Sequence, residues 1–165
     1  MKRARIEGQA FVYGDHIDTD VLAPGAYMKR PIQELAAHCL EAIDPDFART
    51  VRPGDVLLGG IGFGIGSSRE QAAQALKELG VACVLAKSFA RIFYRNAINL
   101  GLPALVFAEV DRVQPGDRLH VDIASGRIDN LSRNETYQAE AMPDFLLALI
   151  ADGGLVPHLK KRFAG

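Results

Sequence analysis

The chain has 165 residues, 48% of them hydrophobic, which is enough for one ordinary domain with a real core. A formal net charge of −1 gives no global pull toward nucleic acid or an anionic membrane, and no apolar run approaches the roughly 20 residues that span a bilayer. The basic start MKRARIEGQAF lacks a following apolar stretch, so the expectation is no secretory leader, a cytoplasmic location, and a single domain over residues 1–165.

In chain order, EGQAFVYG reads as an opening strand. HIDTDVLAPGAYMKRP reads as a polar loop closed by proline, and IQELAAHCLEAI, residues 32–43, as a helix. PGDVLLGG is a strand after a Pro-Gly turn, and SREQAAQALKEL is a helix stopped by Gly80. VACVLA follows as a strand, then SFARIFYRNAINLG as a helix with Ser88 as candidate N-cap and Gly101 as terminator, then the strand PALVFAE. The middle of the chain is therefore βαβαβ. DRLHVDIASGRIDNL reads as a hairpin around Ser125-Gly126, and MPDFLLALIADGGLVPHLKKRF as short helices parted by Gly153-Gly154. The fold class is α/β with a β-rich flank.

Cys39 and Cys83 lie far apart, in neither CxxC nor metal-ligand spacing; Cys83 reads as a small buried hydrophobe and Cys39 as a helix residue. No metal site is visible. Phe89, Ile92, Phe93 and Ile98 fall near helical spacing and suggest a core stripe, with Arg91 and Arg95 on another face. A basic-aromatic nucleic-acid patch is the disfavoured alternative.

Between strand and helix, Gly59, Gly60, Gly62, Gly64 and Gly66 crowd together and lead straight into Ser67-Ser68-Arg69-Glu70. Glycine is used where backbone must approach something closely or take positive φ, and amides at a helix start favour negative charge. An anion is therefore expected on Ser67 and Ser68. Three kinds fit. A phosphate is one, although GxxxxGK[ST] is absent and GFGIGS fails GxGxxG at its last position. A substrate carboxylate paired with the planar fork of Arg69 is the second, and an alkoxide on serine, serving as a base, is the third.

GFGIGSSREQAAQALKELG together with AKSFARIFYRNAINLGLPAL resembles the mobile swivel domain of the aconitase superfamily. The likeness is to its free-standing form, the small subunit of isopropylmalate isomerase or homoaconitase, and extends to YGDHIDTDVLAPGAYM and GGLVPHLKKR. The resemblance implies a swivelling β/α/β domain with a mixed sheet flanked by helices. It implies a hydro-lyase that moves a hydroxyl to the neighbouring carbon of a hydroxy polycarboxylate by dehydration and rehydration, in leucine biosynthesis if the substrate is isopropylmalate. In that family a [4Fe-4S] cluster acts as Lewis acid and a swivel-domain serine as base. A cluster ordinarily needs several thiolates, so two isolated cysteines imply no cofactor in this chain and an iron–sulfur large subunit as partner, in a heterodimer or heterotetramer.

The resemblance places the catalytic base at Ser67, a substrate contact at Ser68, a carboxylate clamp at Arg69 and an active-site aspartate at Asp20. It places the specificity loop on Tyr27, Met28, Lys29 and Arg30, where two cations suit an extra carboxylate and Met28 suits an alkyl arm. Isopropylmalate is expected ahead of homoaconitate or dimethylmalate. Many relatives carry Cys, Asn and His where this chain has Ile65, Gly62 and Gln71. The alternative of another class is a stand-alone anion- or nucleotide-binding module.

Overall fold

The computed structural model describes residues 5–164. Seven strands form one mixed sheet in the order β4-β3-β2-β1-β5-β6-β7. The strands are β1 (Arg5–Val12), β2 (Val56–Gly59), β3 (Cys83–Ala86), β4 (Ala104–Val106), β5 (Arg118–Asp122), β6 (Arg127–Asn130) and β7 (Glu135–Gln138). The β4-β3-β2-β1 half is parallel, joined through helices α4 (Glu70–Glu78) and α5 (Arg91–Asn99), and the rest is antiparallel. This is the expected α/β arrangement with a β-rich flank. The short polar β7 has no sequence signal of its own; it forms because β6 offers it an edge.

β1 belongs to both halves. Arg5 to Gln9 pair antiparallel with β5, whereas Ala10 to Val12 pair parallel with β2. At the changeover, the Gln9 amide donates to Asp55 Oδ1 (2.9 Å) and the Ala10 amide to the Asp117 carbonyl (2.8 Å). Both acceptors come from Pro-Gly-Asp turns, and both carboxylates also seal their own turn, Asp55 with the Arg52 amide and Asp117 with the Gln114 amide. A buried amide left without an acceptor is costly, so these two turns hold the strand where its partner changes. Gly8 sits at the same crossing.

Two cores result. Leu57, Val84 and Ala86 on one face of the parallel half pack with Leu22, Leu35, Phe47, Phe93 and the alanines Ala72, Ala73 and Ala75 of α4. On the other face, Val56, Leu58, Leu85 and Leu105 meet Leu119, Val121, Ile128 and Tyr137, so the antiparallel half curls over the parallel one. β2 and β3 are buried on both faces, which is why they read as unbroken apolar runs.

Several boundaries differ from those read from sequence. The helix expected over residues 32–43 stops early, as α2 (Ile32–Ala36): Leu40 takes φ 63° and its amide donates to the Val21 carbonyl (2.9 Å). A tertiary hydrogen bond there overrides helix propensity, and Cys39 lies in the following turn rather than on a helix. The expected loop 16–31 contains helix α1 (Thr19–Leu22), capped by Asp18, and a 3-10 turn, Gly25–Tyr27. A further short helix, α3 (Phe47–Thr50), puts Phe47 into the core. Of the expected stripe on α5, Phe93 and Ile98 are buried and Phe89 half-buried, but Ile92 is exposed. The C-terminal helices, α6 (Asp144–Ala151) and α7 (Leu155–Ala164), are parted at Gly153-Gly154 as expected, both glycines having positive φ. Among the described residues no helix is long and apolar enough to cross a membrane.

The crossing at β1 is testable with two alanines. A Cβ at Gly8 would stand 2.1 Å from the Gly54 carbonyl oxygen, whereas one at Gly14 meets nothing within 4 Å. Chemical denaturation should show Gly8→Ala destabilised by about 1–3 kcal/mol, the usual cost of overpacking. Gly14→Ala should stay within about 0.5 kcal/mol of the parent chain.

Candidate active site

The glycine run leaves β2 and is hydrogen-bonded on both sides as it goes. The Gly60 amide donates to the Gly14 carbonyl, Ile61 to Asp15 Oδ1, Gly62 to Ser88 Oγ, Phe63 to the Ser88 carbonyl and Gly64 to the Ile17 carbonyl, all at 2.7–3.0 Å. In return the His16 and Thr19 amides donate to the Ile61 and Ile65 carbonyls (2.7 and 2.8 Å). Phe63 anchors the loop, fully buried against Phe89 and Phe93. Gly64 lets it lie that low: at φ 86°, a Cβ there would stand 2.3 Å from Phe93 Cβ.

Beyond Ile65 the two-sided pairing stops, and over residues 66–71 only the Arg69 amide finds an acceptor among the described residues, the Ser67 carbonyl at 2.9 Å. The amides of Gly66, Ser67 and Ser68 have no acceptor among the described residues, nor do those of Glu70 and Gln71 in the first turn of α4. Ser67 and Ser68 are exposed, and neither hydroxyl has a hydrogen-bond partner among the described residues. α4 starts at Glu70, so both serines precede it rather than opening it, and Arg69 occupies the cap position without a side-chain cap. The unpaired N–H groups and the positive end of the helix make this edge attractive to an anion, or to a serine oxygen that loses its proton.

Arg69 and Asp20, 49 residues apart in sequence, meet here. Arg69 Nη1 donates to Asp20 Oδ1 (2.8 Å) and to the Ala23 carbonyl (2.9 Å), while the Gly25 amide donates to the same aspartate oxygen (3.0 Å). Arg69 is mostly buried, its side chain 22% exposed, and Asp20 is open to solvent. The guanidinium is therefore fixed by one nitrogen, and its Nε and Nη2 carry no acceptor among the described residues. That free edge has the planar geometry that suits a carboxylate held in two parallel hydrogen bonds. The Arg69 hydrogen bond, helped by the Gly25 amide, holds the Asp20 carboxyl below the usual carboxylate range.

Of the residues expected in a specificity loop, Tyr27 is half-buried with its ring on His38, and Met28 packs against the helix-side core. Lys29 is exposed without a partner among the described residues, and Arg30 pairs with Glu34 at 3.3 Å on the surface. Asp20 and the Gly25 amide tie this loop to Arg69.

Sequence reasoning missed the role of Ser88. It is no N-cap, since α5 starts after Ala90; its hydroxyl and carbonyl instead take the Gly62 and Phe63 amides. The Asp15 carboxylate was likewise not singled out, although Gly-Asp before a turn is a signal for side-chain to backbone bonding.

The thiols do not fit an iron–sulfur cluster. Cys39 belongs to the helix-side core and Cys83 to the strand-side core, both essentially without exposure. Burial pushes both thiols up, that of Cys83 to about 12.

A family model for the aconitase C-terminal domain matches residues 40–110. The 3-isopropylmalate dehydratase small subunit of Clostridium beijerinckii is 48% identical over 159 residues, covering 95% of this chain and 99% of the relative. The isopropylmalate/citramalate isomerase small subunit of Methanocaldococcus jannaschii is 44% identical over 165 residues, covering 98% of each. A crystal structure of 3-isopropylmalate dehydratase from M. jannaschii superposes with a TM-score of 0.92 at 43% identity, covering 97% of this chain and 96% of that one. Agreement in sequence, length and fold means that the chain belongs to the 3-isopropylmalate dehydratase small-subunit family, built on the aconitase C-terminal domain.

Proposed function

We propose that this chain is the small subunit of a 3-isopropylmalate dehydratase, a hydro-lyase of leucine biosynthesis that works with a large subunit, and that it contributes the base and one carboxylate clamp. The observation that carries the site assignment is the run of unpaired amides at Gly66, Ser67 and Ser68 beside a guanidinium with one free edge. Ser67 is the base: its alkoxide, stabilised by neighbouring N–H groups, takes the proton from the substrate C–H while hydroxide leaves the adjacent carbon. Returning the proton and the hydroxyl to exchanged carbons gives the isomer. Ser68 and the Nε/Nη2 edge of Arg69 hold a substrate carboxylate, and Asp20 keeps that edge aimed.

The iron–sulfur centre is assigned to the large subunit, because two thiols in separate cores cannot ligate it. Exposed serines and unpaired amides are what a chain needs if a partner completes the site. An alkyl arm is favoured over an additional carboxylate because Glu34 already partners Arg30, leaving Lys29 as the loop's unpaired cation among the described residues.

Ser67→Ala in the complex reconstituted with the large subunit should lower kcat by about 10²–10⁴-fold, the usual contribution of a positioned base, without weakening assembly in size-exclusion chromatography. Turnover at the parental rate would remove this serine from the mechanism. A second expectation concerns pH. Since folding lowers the Asp20 pKa, the ion pair contributes fully above the unfolded value near about pH 4 and fades only as pH falls through the depressed one. Carboxyl-detected NMR should place the Asp20 midpoint below about 3.9, and Arg69→Gln should raise it.

A further inference from the structure

The Tyr27 ring lies on the His38 imidazole with centroids 3.6 Å apart and planes 3° apart. Aromatic rings left to themselves prefer offset or edge-to-face contact, so a parallel stack this close points to an outside constraint on one ring. Glu41 supplies it. Its Oε1 lies 2.7 Å from His38 Nδ1, and because a carboxylate only accepts, that nitrogen donates and the imidazole plane is set. The turn beneath is rigid: Cys39 and Leu40 are buried, and Leu40 is pinned to α1 through the Val21 carbonyl.

The other end of the same loop is fixed to the site. The Gly25 amide donates to Asp20 Oδ1, which holds Arg69, and a Cβ on Gly25 would come within 3.8 Å of Arg69 Nη2. Between these anchors, the Tyr27 amide donates to the Pro24 carbonyl and Arg30 to that of Tyr27, so a shift of the Tyr27 ring moves residues 24–30 as a unit. The Tyr27 hydroxyl and His38 Nε2 have no hydrogen-bond partner among the described residues, so loop and platform meet through the stacked faces together with the packing of Tyr27 and Met28 on the helix-side core.

We infer that His38, oriented by Glu41, is a positioning residue that fixes Tyr27 and so sets how closely loop 24–30 receives the variable arm of the substrate beside Arg69. This rests on the reading of that loop as the arm-facing one. His38 touches no reacting atom; it acts through Tyr27.

The test uses the complex with the large subunit for kinetics and the full chain for amide hydrogen exchange. His38→Ala should raise KM for isopropylmalate about five- to tenfold with kcat within about twofold, the pattern of lost binding rather than lost chemistry. His38→Phe, which keeps a flat ring, should bring KM back to within about twofold of the parent, and Glu41→Gln should fall between. Exchange over residues 24–30 should quicken about tenfold in His38→Ala and not in His38→Phe. Unchanged exchange in His38→Ala overturns the platform, as does a His38→Phe that behaves like alanine. Faster exchange with an unmoved KM keeps the platform but overturns its link to the substrate arm. A parent complex that does not turn over isopropylmalate overturns the functional reading instead, while exchange still judges the platform.

Discussion

The site depends on a hydrogen-bonded seam between residues 14–19 and the glycine run. Amides at Gly60, Ile61 and Gly64 go to Gly14, Asp15 and Ile17, and amides at His16 and Thr19 come back to Ile61 and Ile65. Ser88 closes the seam from the far side by taking Gly62 and Phe63. Every polar group spent on this seam is unavailable to a ligand, and the seam ends at Ile65. The change from satisfied to unsatisfied amides therefore falls between Ile65 and Gly66, just ahead of Ser67. Buried Phe63 fixes the loop's depth, so the free amides stand at a defined height above the core rather than on a loose flap.

The same seam brings Asp20 to Arg69. Thr19, bonded to Ile65, opens α1, and Asp20 follows it directly. The aspartate then does two jobs with one oxygen, holding the guanidinium and the Gly25 amide. The arginine that follows the glycine run and the loop that begins at Gly25 are thus linked by a single carboxylate, so the orientation of one constrains the other.

Much of this was legible in the sequence where the signal is local. Unbroken apolar runs announced β2 and β3, glycine crowding before Ser-Ser-Arg-Glu marked the loop, and Gly153-Gly154 marked the break between the last helices. The parts that could not be read are those decided by distant partners. Residues 37–43 have helical periodicity, but Leu40 gives up helical geometry for a bond to Val21. Ser88 sits where an N-cap would, yet the unpaired amide of Gly62 claims its hydroxyl. Asp20 and Arg69 carried their roles through a family likeness; nothing in their spacing predicts that they touch. The Tyr27–His38 stack was equally invisible, since it needs the helix to end early and turn His38 toward the loop.

The placement of the two cysteines has a use of its own. Each core holds one thiol, Cys39 among the helices and Cys83 among the strands, and neither reaches solvent in the folded chain. A maleimide needs an accessible thiolate, so both should resist alkylation until their own layer opens. Mass spectrometry of a labelling time course in denaturant can then tell which side of the sheet comes apart first, with no probe introduced.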